Sequence, residues 1–191
     1  MSNRGKEYYT QQAKKDGYLA RSAYKLLEID EKADLLSAKT VLDIGCAPGS
    51  WLQYLSKHLQ DVQIIGLDLK KVDIQLPVTS HVQDISDRDG VKAIFDEADI
   101  SSFDLIVSDM APDTIGMSDI DAIRSILIEK TLRIYDQYLS DTGKFAIKVF
   151  MPGYQELVKE LKDIYGNKNI ITFKPKSCRK ASKEIYICKR S

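Results

Sequence analysis

Thr40–Ser50, TVLDIGCAPGS, is the stretch whose reading decides how the rest of the chain is arranged. A short apolar run, Val41-Leu42-Asp43-Ile44, stops at Gly45, and Gly49 stands just before a second apolar-periodic segment. The pattern reads as strand, tight glycine-rich loop, helix. Gly45 and Gly49 permit positive φ or a close backbone approach, and Pro48 stiffens the turn. A helix opening near Ser50 would turn its unpaired N–H groups toward whatever lies over the loop.

Glycines between a strand and a helix also occur as a plain turn, so the loop alone does not define a site. A dinucleotide site is disfavoured because GCAPG is not G-x-G-x-x-G, and a triphosphate loop fails because no G-K-[ST] follows. Asp43, where the first strand runs into the loop, is the discriminating residue. It would repel a phosphate, yet it can accept hydrogen bonds from a cationic or hydroxyl-bearing group. That favours a nucleoside or amino-acid-bearing ligand over a pyrophosphate.

Working outward, 191 residues suit one compact domain over 1–191. A chain of that length buries roughly 70% of its unfolded surface and needs no disulfide or metal to hold a core. Lys and Arg balance Asp and Glu, 28 against 28, but not evenly. Met1–Lys25 holds six basic residues against two acids, and Lys168–Ser191 eight against one. Solvated, frayed ends are the plain account. The sharper one is that both ends fold onto one side and form a patch for a polyanion. Cys46, Cys178 and Cys188 form no C-x-x-C pair, and with only His58 and His81 beside them no structural zinc or disulfide framework is expected. The start, MSNRGKEYY, lacks the apolar core of a signal peptide, and no run approaches membrane-spanning length. A reducing, cytoplasmic setting is the expectation.

In chain order, 1–16 is basic and aromatic without a clear period, and a mobile arm is expected there. From Tyr18, Leu19, Tyr24, Leu26, Leu27 and Ile29 alternate with charged residues as in a helix packed by one face. Lys25 taken alone is a solvent-facing charge at its edge. A helix follows the loop from Trp51, in which Trp51 and Tyr54 are either core or ligand-stacking residues. Val62–Leu69 is a second strand ending in Asp68, placed to accept from ribose hydroxyls as in doubly wound nucleotide folds. Val78–Val82 is a third strand before Asp84, then a helix over Arg88–Ala98. Phe103–Ser108 is a fourth strand that runs into Asp109 within SDMAPD. A long helix spans Asp119–Leu139, with Ile120, Ile123, Leu127, Ile128, Leu132 and Tyr135 near helical spacing. Asp141-Thr142-Gly143 is expected to turn the chain into a strand over Lys144–Phe150. There Lys148 is anomalous: a charge inside an apolar strand must snorkel or reach a polar cleft. A helix over Tyr154–Tyr165, a strand over Asn169–Phe173, the basic link Lys174–Lys183 and a strand over Glu184–Cys188 complete the chain. Strands alternating with helices indicate an α/β sandwich with a mostly parallel sheet.

RSAYKLLEID (Arg21–Asp30), VLDIGCAPGSWLQYL (Val41–Leu55), IVSDMAPD (Ile106–Asp113), GKFAIKVF (Gly143–Phe150) and KPKSCRKASKEIYI (Lys174–Ile187) occur in this order. With these blocks the chain resembles the RrmJ/FtsJ-type family of S-adenosylmethionine-dependent RNA 2′-O-ribose methyltransferases. The resemblance implies a Rossmann-like fold: a seven-stranded, mostly parallel sheet, only its last strand antiparallel, with helices on both faces. It places Lys25, Asp109, Lys148 and Glu184 on the family's catalytic tetrad. Asp43, the loop residues Gly45, Cys46, Ala47, Pro48, Gly49 and Ser50, and Trp51 fall on its donor site, with Asp109 beside them. Asp68 corresponds to the residue near the donor's ribose and Asp84 to one near its adenine. Cys46 and Ser50 depart from the commoner A-A-P-G-G loop, but both are small. Asp113 stands where Asn is frequent, which would alter the adjoining loop or the substrate fit.

The implied reaction moves a methyl group from S-adenosyl-L-methionine to a ribose 2′-hydroxyl without a metal. Lys148 is expected nearest the hydroxyl, as a general base when neutral or an orienting donor when charged. Arg4, Lys6, Lys14, Lys15, Arg21, Lys174, Lys176, Arg179, Lys180 and Lys183 are expected to meet RNA, with Tyr8 or Tyr9 stacking on a base. Compact family members of this kind act on a uridine of large-subunit ribosomal RNA, which ranks first as acceptor, free or as a ribosomal particle. A tRNA anticodon loop ranks second. A non-catalytic protein binding the donor and RNA is the alternative of another class. Neither DNA nor a membrane is an expected partner.

Overall fold

The computed structural model describes residues 3–111, 120–151, 153–179 and 181–190, with side chains from residue 7 and, in the helix beginning at Ile120, from residue 125. Asp113 and Lys180, and the side chains of Arg4, Lys6, Ile120 and Ile123, therefore lie outside the described residues. The elements in order are α1 (Asn3–Lys15), α2 (Ala23–Ala33), β1 (Thr40–Ile44), α3 (Ser50–His58), β2 (Gln63–Asp68), β3 (Thr79–Val82), α4 (Arg88–Glu97) and β4 (Phe103–Ser108). They continue with α5 (Ile120–Tyr138), β5 (Leu139–Phe150), α6 (Tyr154–Tyr165), β6 (Ile170–Phe173) and β7 (Glu184–Lys189). Among the described residues no helix is long and apolar enough to cross a membrane.

All seven strands form one sheet in the order β3-β2-β1-β4-β5-β7-β6. Pairing is parallel from β3 through β5, and β7 runs antiparallel to both β5 and β6. The reversal at the last strand is as the resemblance implies. Successive strand residues point to opposite faces, so each strand feeds two cores. Val41, Leu105, Val107, Ala146, Tyr186 and Cys188 pack with α2 and α3 on one face. Leu42, Ile44, Ile106, Phe145, Ile147 and Ile187 pack with α4, α5 and α6 on the other. A strand buried on both faces reads as an unbroken apolar run, which is why FDLIVS and KFAIKVF are legible as strands.

Two stretches are not what the sequence pattern displays. Asn3–Lys15, which shows no clear period, is a helix. Among the described residues its contacts with the body include buried Ala13 and the Tyr9–Tyr24 ring pair, 5.5 Å between centroids. Its few apolar positions leave no stripe for the sequence to show. Asp141-Thr142-Gly143 does not turn the chain either: β5 begins at Leu139 and runs through these residues. Phe103 pairs with Leu139 but Leu105 with Lys144, so the extra residues are absorbed as a bulge in the ladder.

Gly66 of β2 lies directly beneath the glycine bend. A Cβ there would stand 2.8 Å from the Cys46 sulfur and 3.1 Å from Leu52 Cδ1. Gly66→Ala should therefore destabilise by about 1–3 kcal/mol through overpacking. Urea unfolding should show a lower midpoint with an unchanged slope; an unaltered midpoint would mean that the loop yields freely.

Candidate active site

The side-chain alternation that builds the two cores also delivers the charged residues. Ala146 faces α2, so Lys148 does too; Tyr186 faces α2, so Glu184 does as well. Lys148 pairs in register with Tyr186 and Phe150 with Glu184 across β5 and β7. Asp109 follows the last residue of β4, one strand away, and Lys25 descends from α2. Four elements thus bring the tetrad together at one end of the sheet.

Asp109 lies at the centre. Lys148 Nζ donates to its Oδ1 at 2.9 Å and to its main-chain oxygen at 2.5 Å. Lys25 Nζ donates to Asp109 at 3.3 Å and to Glu184 Oε2 at 3.1 Å. The Tyr186 hydroxyl donates to Asp109 Oδ1 at 2.5 Å. Both lysines are buried, Lys25 at 8% and Lys148 at 6% exposure. Burial alone would raise the Asp109 pKa, but the Lys148 and Lys25 charges and the Tyr186 hydrogen bond outweigh it and hold the carboxyl below its usual range. Burial would likewise lower Lys25, and Asp109 with Glu184 reverses that, so Lys25 is held charged. Glu184 is lowered despite burial, by Lys25 and by a hydrogen bond from Cys178. Burial, reinforced by Asp109 and Glu184, pushes the Tyr186 phenol well up, so it remains a donor.

Tyr186 was not among the residues singled out from the sequence. EIYIC reads as an ordinary strand, and only the register opposite Lys148 gives the phenol its partner.

A cleft of roughly 440 Å³ opens beside Asp109, lined by Gly45, Ala47, Asp68, Asp84, Met110 and Lys130 among others. It lies at the carboxyl ends of β1, β2 and β4, where the strand order reverses direction and α/β sheets bind ligands. Gly45 has φ +78°, and a Cβ on it would come within 2.5 Å of Met110 Cγ, so both the bend and the approach of the β4 loop require glycine. Asp68 Oδ2 accepts from Ala47 N at 2.9 Å and its Oδ1 from Lys70 N at 2.8 Å. Asp84 accepts from Ser86 N and Oγ, which lowers its pKa. Both carboxylates are thereby aimed, with acceptor capacity to spare.

The remaining donor-site residues expected from the sequence lie around the cleft without lining it. The Cys46 sulfur sits against Gly66, and Gly49 caps α3 at φ +107° against Val72 and Ile74. Pro48 is exposed on the outside of the bend. Ser50 Oγ bonds Ser22 Oγ at 2.6 Å, and Trp51 Nε1 donates to Ser22 O at 2.8 Å, so both fasten α3 to α2. Trp51 is a core residue. Asp43 is completely buried beneath the loop, and neither of its carboxylate oxygens finds a donor among the described residues. An orphaned buried carboxylate next to two anchored ones suits a ligand with a cationic end and a hydroxylated sugar, and fits poorly with a phosphate.

Of the expected RNA contacts, Lys14 and Lys15 are exposed on α1, and Lys176, Arg179 and Lys183 are exposed on the link. Lys174 Nζ instead donates to Ser182 O, and Arg21 Nη1 to Ser177 O at 3.2 Å. Tyr8 is exposed and Tyr9 half-buried against Tyr24.

Sheet order, reversed last strand and the placement of this cleft define a Rossmann-like methyltransferase. A model of the family described as FtsJ-like methyltransferase matches residues 18–191, and the chain belongs to that family. It is 40% identical to the ribosomal RNA large subunit methyltransferase E of Desulforapulum autotrophicum, covering 98% of this chain and 97% of that one. The protein of the same name from Pelagibacter ubique is 36% identical, over 99% and 94% of the two chains. A solved structure from Plasmodium falciparum, described as a ribosomal RNA methyltransferase, superposes with a TM-score of 0.76 at 28% identity, covering 91% of this chain and 98% of that one.

Burial, with Asp109 and Asp68 nearby, raises the Asp43 pKa well above the usual carboxyl range. A raised carboxyl pKa gives stability that is complete below the unfolded value, about 3.9, and is lost as pH rises toward the folded one. Asp43→Asn should therefore raise the melting temperature of the ligand-free protein at neutral pH, with the gain vanishing near pH 4. Thermal unfolding across pH 4–8 measures this; a gain independent of pH would show that Asp43 is ionised in place.

Proposed function

We propose that this protein transfers a methyl group from S-adenosyl-L-methionine to a 2′-hydroxyl of ribosomal RNA, at a uridine ribose of the large subunit. The observation that carries the reading is Lys148: a buried lysine on an inner strand, held against Asp109 at the edge of a cleft suited to a nucleoside with an amino-acid tail. The names of the relatives support the ribosomal acceptor, and the same names make a cytoplasmic setting natural.

Asp68 would face the donor's ribose and Asp84 its base, with Gly45 and Ala47 giving close backbone approach and Asp43 lying beneath the bend on the side of the donor's ammonium. When bound, the donor supplies a methyl group already activated by a positively charged sulfur. The chain has to align an alcohol, take up its proton and exclude water. Lys148 directs two bonds to Asp109 atoms. Of the tetrahedral positions on Nζ, one is left for the acceptor oxygen. In the neutral amine that position is a lone pair, and Lys148 takes the hydroxyl proton. In the ammonium it is an N–H, and Lys148 orients the oxygen for attack. Asp109, fixed by Lys25 and Tyr186, sets where Nζ stands, and Glu184 fixes Lys25 in turn. Met110 and the β4 end close the side of the cleft. No step calls for a metal, since no phosphate leaves.

The chain acts as one methyltransferase domain over 1–191, and α1 with the 174–183 link forms the RNA-binding side. Lys14, Lys15, Lys176, Arg179 and Lys183 meet phosphates and carry little base specificity.

Lys148→Ala should lower methyl transfer by about 10²–10⁴-fold while RNA and donor binding persist, as read with labelled donor on large-subunit particles, free ribosomal RNA and tRNA. Near-normal transfer by this variant would refute the assignment, and mapping the labelled nucleotide identifies the acceptor. Tyr186→Phe keeps the ring but removes the bond to Asp109, leaving more of its charge for the lysines. kcat should then fall with melting temperature little changed; an unchanged kcat would reduce Tyr186 to packing.

A further inference from the structure

Glu28 is a carboxylate beside the basic link, and nothing in the transfer chemistry uses it. It lies on α2 one turn beyond Lys25, at the i,i+3 spacing that puts the two on one helix face. Its Oε2 accepts from Lys176 N at 2.5 Å and its Oε1 from Ser177 N at 2.9 Å. These consecutive amides belong to a turn closed by Cys178 N donating to Pro175 O at 3.1 Å. Arg21, just before α2, donates to Ser177 O at 3.2 Å, so Ser177 is held at both its main-chain N–H and its carbonyl. At the far end of the link Lys25 holds Glu184 at 3.1 Å. The helix that carries a tetrad lysine thus grips the link at its beginning and at its end. Pro175, Ser177 and Cys178 are buried in consequence, while Lys176, Arg179 and Lys183 stand exposed between the two grips.

We propose that Glu28 is a positioning residue for the RNA acceptor: it staples the 176–177 turn to α2 so that the cations of the link face the mouth beside Lys148. The inference rests on the RNA-directed reading above. A carboxylate binding two successive main-chain N–H groups is a charge-assisted, two-point contact, stronger and more directional than a neutral bond. Its sequence separation from the link, about 150 residues, means that it fixes tertiary placement and not local turn shape.

The proposal predicts a sign opposite to that of bare electrostatics. Removing a negative charge from a polyanion-binding surface should by itself tighten binding. A glutamine at this position keeps one acceptor and sets an NH₂ against the second amide, so it breaks the staple. Glu28→Gln should raise KM for large-subunit ribosomal RNA by about three- to tenfold, with kcat at saturating RNA and donor affinity unchanged. The dependence of log Kd on log salt should become shallower, since phosphate contacts are lost.

A lowered or unchanged KM, in a variant that binds donor as the wild type does, would overturn the staple and leave the RNA reading intact. A wild-type protein that binds donor yet neither binds nor methylates ribosomal RNA, its particles or tRNA would overturn both. Amide hydrogen exchange on the wild type gives a test that needs no variant: the Lys176 and Ser177 amides should exchange more slowly than those of Arg179 and Lys183. Equal, fast exchange at all four sites would also overturn the staple.

Discussion

The half-buried carboxylate of Asp109 accepts from two lysine amino groups and a phenol, and the candidate site depends on that convergence. Placing charges out of water is costly, and a partner left alone costs more than the whole set absent. Without Asp109, Lys25 and Lys148 would be like charges held together in a poorly solvated site. With it, Lys25 and Tyr186 fix a carboxylate that defines one position for Lys148 Nζ. The partners come from α2, β5 and β7, so helix docking, strand order and the reversed last strand all have to be right at once.

The same end of the sheet is divided by charge. On the β1–β3 side stand Asp43, Asp68 and Asp84, suited to a cationic, hydroxyl-rich donor. On the β7 side the link offers Lys176, Arg179 and Lys183, and α1 adds Lys14 and Lys15, suited to a polyanion. Asp109 lies at the boundary between the two. An overall balance of 28 basic and 28 acidic residues is thus the sum of two opposed surfaces. Net charge alone says little about such a protein's partners, because the field near each cleft is local and screened over about 10 Å.

Rigidity is divided in a corresponding way. Lys148 and Tyr186 stand on strands paired on both edges, so their positions are fixed by sheet hydrogen bonds. The glycine bend is held from below by Gly66 and from the side by the Ser22–Ser50 and Trp51–Ser22 bonds that tie α3 to α2. Side chains such as Ser50 and Trp51 that belong to the donor motif in sequence serve in space to hold that loop still. A motif marks a place in the chain, and only some of its members face the cleft.

Much of this was legible in the chain itself. Apolar runs buried on both sheet faces announce β1, β2, β4 and β5, and the glycine bend after Asp43 marks the ligand end, because these are consequences of local pattern and backbone sterics. Lys148 could be singled out because a charge within KFAIKVF conflicts with its surroundings. Helix α1 was not visible, since its few apolar positions leave no period, nor was the entry into β5, where a bulge in the ladder takes up residues that look like a turn. Tyr186 as a partner of Asp109 and the grip of Glu28 on Lys176 and Ser177 depend on strand register and helix docking across 77 to 149 residues, and the orphaned state of Asp43 on the packing around it. Contacts between residues so far apart in sequence leave no local signature, so the sequence determined the elements and their chemistry, while tertiary packing alone decided which charges meet.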